Sequence, residues 1–532
     1  MGLYLNPGNE TFARLVNSNN YVDKTGLIRY MNGRIGQEKN LIASSRPRRF
    51  GKTIAVRMLT AYYSRGCDSR ELFKGLEIES DPSFEEHLNK YNVIRLDIQW
   101  MRGIAVRKIQ RGENITILGY IEDEVLRELR QEFPGYVSEE QNSVAVALAN
   151  IHVAANEQFV IIIDEWDCVF REDKDNEELQ KDYINFLRGL FKGDASDAFV
   201  KLAYITGILP IKKYGTQSAL NNFRELTMVA PGGIARYIGF TEKEVRALCK
   251  NSELPFPEMQ KWYDGYYLSG AGHVYSPNSV MEALDNEGFQ NYWSQTETYE
   301  SLKMYIAMDF DGLKQKVVDM LGGAGCKIDV ESFQNDMTTF SSSDDVLTLL
   351  IHLGYLAYDS KSREAFIPNE EVRSSFVRAV KNEGWSDVYD AIQNSEKLLT
   401  ATLAMDEAAV GKMIRNVHME NSSSLVYNNE ISLASVIRVA YYTATKDYTL
   451  IREHPAGEGF ADMVFLPKRR SKKPALVVEL KWDKSAEGAV DQIKNKKYVA
   501  ALKEYKGNML LVGINYDKKT KEHQCRIEKY EI

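Results

Sequence analysis

Residues 40–59 constrain this chain more than any other stretch. An apolar run, Leu41-Ile42-Ala43, passes through a turn rich in arginine and glycine into the helical pattern Ile54-Ala55-Val56-Arg57-Met58-Leu59. The turn, Arg46-Pro47-Arg48-Arg49-Phe50-Gly51-Lys52-Thr53, has the spacing of a phosphate loop, G-x-x-x-x-G-K-[ST], with Arg46 where the first glycine is expected. Gly51 lets the backbone approach a phosphate, Lys52 reaches the β and γ phosphates, and Thr53 offers a hydroxyl to Mg²⁺ at the helix N-terminus. The plain alternative is a surface Gly-Lys-Thr in a basic turn.

Further strands are expected at Val93–Ile98, Phe159–Ile163 and Val200–Thr206, separated by helical stretches around 114–132 and 143–157. That alternation predicts a parallel α/β sheet. The second run ends in Asp164-Glu165, which suits a Mg²⁺-coordinating Asp164 and a Glu165 that polarises the attacking water. Capping of the next helix is the simpler role for the two acids. Thr206, at the end of Val200–Thr206, is placed to sense a γ-phosphate, although a lone threonine is more often structural.

The chain has 532 residues, enough for about three or four domains at roughly 150 residues each. Its 44% hydrophobic and 27% charged residues exclude a disordered or fibrous protein. Its longest apolar runs, such as Val144–Ala149, fall far short of a membrane span, and no signal peptide is read at the start, so a cytoplasmic protein is expected. Five scattered cysteines without a CxxC pair give neither a disulfide framework nor a structural zinc site. Residues 425–532 hold 20 Lys and Arg against 14 Asp and Glu, whereas the rest holds 47 against 61. A basic tail on an acidic body hints at a polyanionic partner, and a solvated lysine-rich surface explains it equally well.

From about Thr241 to Val380 helical patterns dominate. Ser341-Ser342-Ser343-Asp344-Asp345 offers an N-cap, and a short hairpin over Gly354–Tyr358 and Ala365–Pro368 follows, as in a small winged-helix module. Asn421-Ser422-Ser423-Ser424 reads as a linker. Beyond it a helix (431–442), strands at 448–453, 461–466 and 475–480, a helix over about 486–504 and a strand at 509–514 predict a second α/β domain.

The motifs Tyr21-Val22-Asp23-Lys24-Thr25, Ser45–Thr53, Asp164-Glu165-Trp166-Asp167, Leu220-Asn221-Asn222-Phe223 and Trp262-Tyr263-Asp264-Gly265-Tyr266 fall in order over residues 1–290. Together they resemble the AAA-ATPase-like family of bacterial proteins, which commonly carries a C-terminal domain of the PD-(D/E)XK nuclease superfamily. In that family the loop itself reads Arg-Pro-Arg-Arg-Phe-Gly-Lys, so Arg46 and Phe50 belong to the family's nucleotide-binding form. The resemblance implies a P-loop core with an additional strand and a helical lid around Trp262.

In the tail, Asp462 precedes Met463–Leu466, and Ala475–Val478 leads into Glu479-Leu480-Lys481. Residues two apart on a strand share a face, so Glu479 and Lys481 point the same way. Asp462 and Glu479 could hold Mg²⁺ for phosphodiester cleavage while Lys481 stabilises charge, and Glu430 could add a carboxylate. An isolated E-x-K is usually a solvated pair. The segment 425–515 resembles the PD-(D/E)XK core, and Gln492 with Tyr498 resembles its exonuclease-like branch. Relatives often have arginine in the approach to the aspartate, where this chain has Glu458 and Phe460.

The expected architecture is a multidomain α/β protein. It comprises a P-loop ATPase with a parallel sheet (1–240), a helical lid and winged-helix-like middle (241–424) and a PD-(D/E)XK nuclease-like α/β domain (425–532). The expected function is ATP binding and hydrolysis coupled to a Mg²⁺-dependent nuclease, with Mn²⁺ as a substitute at the nuclease site. The alternative is a signalling or assembly ATPase whose tail domain binds nucleic acid or a partner without cutting. Expected partners are nucleic acid, DNA before RNA, with Lys494, Lys496 and Lys497 as phosphate contacts, and no membrane. A homo-oligomer is left open, and Arg46, Arg48, Arg49 and Arg224 are equal candidates for an arginine finger.

Overall fold

Four apolar runs pair side by side in the first of two compact units, Met1–Leu302 with Lys327–Ser374. The computed structural model describes residues 2–18, 20–214, 217–293, 298–308, 310, 312–321, 323–335, 337, 340–382, 386–421, 437, 440–441, 443–444, 447–456, 459–467, 473–495 and 508–530. The runs form β1 (Leu41–Ser45), β2 (Asn92–Asp97), β3 (Phe159–Asp164) and β4 (Val200–Gly207), and β5 (Arg224–Leu226) closes one edge. The order is β2-β3-β4-β1-β5 and every pairing is parallel. Strand β4 is thus inserted between the phosphate-loop strand β1 and the acid-bearing strand β3, the additional-strand arrangement that the resemblance implies. All residues of β1 and β3 are buried, as expected for strands covered on both faces.

Helix α1 (Lys52–Tyr63) starts where the loop ends. Helices at Ile117–Glu132 and Val144–Ala155 fall where the periodicity predicts them. A third, Ile98–Gln110, begins directly after β2, because Asp97 caps it by accepting the Trp100 N–H at 2.9 Å. Ile121, Val125, Leu129, Leu148 and Tyr183 from the helices join Ile94, Ile161 and Ala203 from the strands in one core.

Past the sheet, Phe240–Thr241, Tyr266–Leu268 and Gly272–Tyr275 make a small antiparallel sheet. Helix Ser343–Leu353 is capped by Ser342 and ended by Gly354 at φ +88°, and the hairpin Ala357–Asp359/Glu364–Phe366 follows it, as the sequence predicts. The Trp262–Tyr266 motif is the junction between these parts. Gly265, at φ +118°, approaches Pro368 so closely that a side chain would strike its backbone, and the Tyr266 hydroxyl donates to the Gly354 carbonyl at 2.5 Å.

The second unit comprises Lys303–Cys326 and Ser375–Ile532, so the stretch 241–424 is distributed over both units. Its strands β6 (Tyr448–Ala456), β7 (Gly459–Pro467), β8 (Ala475–Trp482), β9 (Met509–Asp517) and β10 (Glu522–Lys529) lie in chain order. Only β8 and β9 are parallel, and the helix α2 (Ala486–Asn495) makes the crossover that such a pair requires. One sheet face, with Phe465, Leu476, Val478 and Leu480, packs on Leu398, Val410 and Ile414. On the other, Val464, Ala475, Val477 and Leu511 pack on Val490 and Ile493 of α2. Glu430, Glu458, Lys496, Lys497, Tyr498 and the 422–424 linker lie outside the described residues.

Candidate functional site

In the first unit the parallel register gathers the singled-out side chains at the carboxyl ends of the strands, where open α/β sheets bind ligands. Asp97 is level with Asp164, Asp164 with Thr206, and Thr206 with Ser44. The loop turns through two left-handed residues, Arg49 at φ +69° and Gly51 at φ +91°, and delivers Lys52 and Thr53 to the first turn of α1. The Lys52 ammonium is buried, donates to the Pro47 carbonyl at 3.1 Å and lies 3.7 Å from Glu165 Oε1. Thr53 hydrogen-bonds to Asp164, whose carboxyl is pushed up to about 6 by burial and by the adjacent Glu165 charge. Two acids this close in a dry setting, with a hydroxyl beside them, are a hard-oxygen donor set that fits Mg²⁺.

Thr206 is fully buried and donates its hydroxyl to the Ser44 carbonyl at 2.9 Å. Phe50 is also buried, edge-on to Tyr266 at 5.4 Å and to Trp293 at 6.4 Å, so it packs the loop on the small sheet. Arg46 points into the protein, donating to the Ser45 and Leu226 carbonyls at 2.8 and 3.2 Å. Burial lowers its pKa to about 10, which leaves it charged at neutral pH. Of the other arginines weighed for a finger, Arg49 donates to the Tyr292 carbonyl at 3.1 Å and Arg224 is exposed at the start of β5.

A cavity of about 620 Å³ opens beside the loop. Its floor is Gly51–Thr53 and Glu165, and its apolar walls come from Tyr21 and Val22, from Tyr237 and Phe240, and from Pro277 and Met281. The sequence reading missed these walls because they lie hundreds of residues apart. The only signal was the Tyr21–Thr25 motif, whose Lys24 joins two of them by donating to Glu244 at 2.6 Å and to the Arg236 carbonyl at 2.9 Å.

In the second unit, the β7–β8 register sets Asp462 opposite Glu479, one step beyond the Met463–Val478 pair. Asp462 accepts the Leu480 N–H at 2.7 Å. Glu479 and Lys481 share the face covered by α2 and are both buried, with Lys481 Nζ 2.9 Å from Glu479 Oε1. Gln492, from α2, donates to the same oxygen. The helix approaches this closely because Gly513 of β9, level with Glu479, has no side chain, and a methyl group there would run into the Ala486 carbonyl. Asp462, Glu479, Lys481 and Gln492 therefore converge. Two carboxylates, an ammonium and an amide suit a divalent cation facing a phosphodiester. Among the described residues no group of three or more His, Cys, Asp or Glu could hold a metal ion.

Comparison with known proteins divides the chain in the same way. Residues 7–216 match the family described as Predicted AAA-ATPase, and residues 430–525 match the PD-(D/E)XK nuclease superfamily. The chain thus joins an AAA-ATPase-like P-loop domain to a C-terminal PD-(D/E)XK nuclease-like domain. Over 304 residues it is 27% identical to an uncharacterized protein in the vnfD 5′ region of Azotobacter chroococcum mcd 1, a match covering 55% of this chain. It spans about half, 54%, of that relative's length. Among solved structures it aligns with the Aeropyrum pernix ORC2 protein in its ADPNP-ADP complexes, at 12% identity and a TM-score of 0.31 over 70% of this chain and 98% of that one. It also aligns with Cdc6p from Pyrobaculum aerophilum, at 10% identity and a TM-score of 0.24 over 67% and 91%. Among the described residues no helix is long and apolar enough to cross a membrane.

Proposed function

We propose that this protein binds and hydrolyses ATP in its first unit and cleaves nucleic-acid phosphodiesters at its C-terminal site, both with Mg²⁺. The observation that carries the reading is the convergence of Lys52, Thr53 and Glu165 on the floor of one cavity with apolar walls, with the buried Asp164 hydrogen-bonded to Thr53. Lys52 binds the β and γ phosphates, and Thr53 and Asp164 hold the cation. Glu165 orients the attacking water and takes its proton. The apolar walls suit a base.

At the second site Asp462 and Glu479 hold the cation, Lys481 stabilises charge on the scissile phosphate and Gln492 fixes Glu479. Bound there, Mg²⁺ supplies a Lewis acid and lowers the pKa of a coordinated water. Lys494 and the basic residues of the tail support nucleic acid, DNA before RNA, as the partner. The expected setting is cytoplasmic.

The test incubates the full chain with plasmid, linear and single-stranded DNA and with RNA, with and without ATP, in Mg²⁺ or Mn²⁺. Lys52→Ala should abolish ATP binding by calorimetry, and unchanged affinity would remove the nucleotide assignment. If the wild type cuts no substrate under any of these conditions, the tail domain is a binding module and the ATPase acts in signalling or assembly.

A further inference from the structure

Glu165 adopts a left-handed backbone at φ +49°, a conformation that persists in a non-glycine residue only where the surroundings over-determine it. Its side chain shows what does so. Arg171 Nη2 lies 2.6 Å from Glu165 Oε2, and the Arg171 Nε lies 3.0 Å from Asp167 Oδ2. Arg171 is almost wholly buried and Asp167 fully so. Asp167 is fastened in turn to the backbone just past β4, accepting the Ile208 and Leu209 N–H groups at 3.1 and 2.8 Å. Gly207 permits this approach, since a methyl group there would collide with the Asp167 carboxylate. A bracket therefore runs from the end of β4 through Asp167 and Arg171 to one oxygen of Glu165. The other oxygen, Oε1, is left on the cavity side, 3.7 Å from the Lys52 ammonium.

A glutamate has three side-chain torsions, and fixing one carboxylate oxygen through a planar, buried guanidinium removes most of that freedom. We infer that Arg171 is a positioning residue for ATP hydrolysis, aiming Glu165 Oε1 at the phosphate side of the cavity. This rests on the reading of Glu165 as the residue that activates water. Arg171 is not among the residues that line the cavity, so it acts through Glu165. Lysine at this position keeps the charge but cannot bond to Asp167 and Glu165 in the same fork, so the aim is lost while the charges stay matched.

The test is steady-state ATPase kinetics and Mg·ATP titration on the full chain, with wild type, Arg171→Lys, Glu165→Gln and the double variant. Arg171→Lys should lower kcat about tenfold while KM and the dissociation constant change less than about twofold. Glu165→Gln should lower kcat by about a hundredfold or more, and Arg171→Lys added to it should cost nothing further. A merely structural Arg171 would lose nucleotide affinity, thermal stability and kcat together, which overturns the inference. So does an Arg171→Lys enzyme with wild-type kcat, or additive losses in the double variant. If Glu165→Gln itself hydrolyses ATP normally, the water-activating reading fails first, independently of Arg171. Should Arg171→Lys not fold, Arg171→Gln, whose shorter side chain and single amide nitrogen cannot span Asp167 and Glu165 as the guanidinium fork does, is held to the same split between kcat and KM.

Discussion

Asp164→Asn should make the metal-free protein more stable while removing its response to Mg·ATP, and the size of the gain follows from burial. Asp164 is 1% exposed, and its carboxyl is raised from 3.8 to about 6, chiefly by desolvation and secondly by the Glu165 charge. Between those two values the folded state holds more protons than the unfolded one. Stability therefore falls as pH rises through this window, by on the order of 3 kcal/mol in total. The contribution is fully present below about pH 4 and lost above about pH 6. Asparagine keeps an oxygen for the Thr53 hydroxyl but carries no charge to desolvate. The variant should thus match wild type near pH 4 and exceed it at pH 8 by about 3 kcal/mol, or ~5 °C on the transition of a unit this size. The assay is thermal unfolding in chelator from pH 4 to 8, read on the transition that nucleotide shifts in wild type. With Mg·ATP at about a hundred times its dissociation constant, wild type should gain ~2.7 kcal/mol and the variant almost nothing. A variant no more stable than wild type at pH 8, or equally favoured at pH 4 and 8, would refute the electrostatic argument.

At the second site, Glu479→Ala removes one of two carboxylates and should eliminate cleavage, whereas Lys481→Ala should leave metal binding intact and slow turnover by about 10². Metal titration alongside cleavage assays separates the two outcomes. Neither change should much weaken nucleic-acid binding, which should decay with salt. Gly513→Ala should cost roughly 1–3 kcal/mol by pushing α2 off β9, and should slow cleavage by parting Gln492 from Glu479. Unchanged melting in that variant would show that α2 tolerates the methyl group and that the close approach is not required.

The parts legible in the sequence were those whose signal is local. The strands β1 to β4 are apolar runs that are mostly buried, β1 and β3 on both faces, and their chemistry sits at the next residue or two along the chain, as Asp164 does after Phe159–Ile163. The Glu479-Leu480-Lys481 pair needed only the period of two. The edge strands β5 and β10 gave no such signal. The first has three residues, and Glu522–Lys529, at the edge of the described sheet, buries only His523 and Ile527 among exposed or half-buried side chains that are mostly polar. The helix Ile98–Gln110 was hidden because Ile98 continues the apolar run of β2, and only the Asp97 cap marks the change. The cavity walls and the Arg171 bracket depend on contacts between distant segments, which spacing along the chain does not encode.

Arg46 shows how structure explains a departure from a general motif that the sequence could only note. Glycine is needed in a phosphate loop where the backbone turns left-handed or where a ligand must come within contact of it. In this loop the left-handed turns fall at Arg49 and Gly51, and Arg46 is not among the residues with positive φ. Its backbone N–H instead continues the β1–β4 pairing by donating to the Gly207 carbonyl at 3.1 Å. A side chain is therefore tolerated at the first position, and it turns inward to bond the Ser45 and Leu226 carbonyls. Leu226 ends the three-residue strand β5, whose pairing with β1 covers only Ile42 to Ser44. A buried guanidinium that holds the last carbonyl of so short a strand extends the attachment of that edge to the loop itself. The same residue that breaks the general motif thereby fixes the base of the phosphate loop to the edge of the sheet, and its full burial removes it from the candidates for a finger that reaches another molecule.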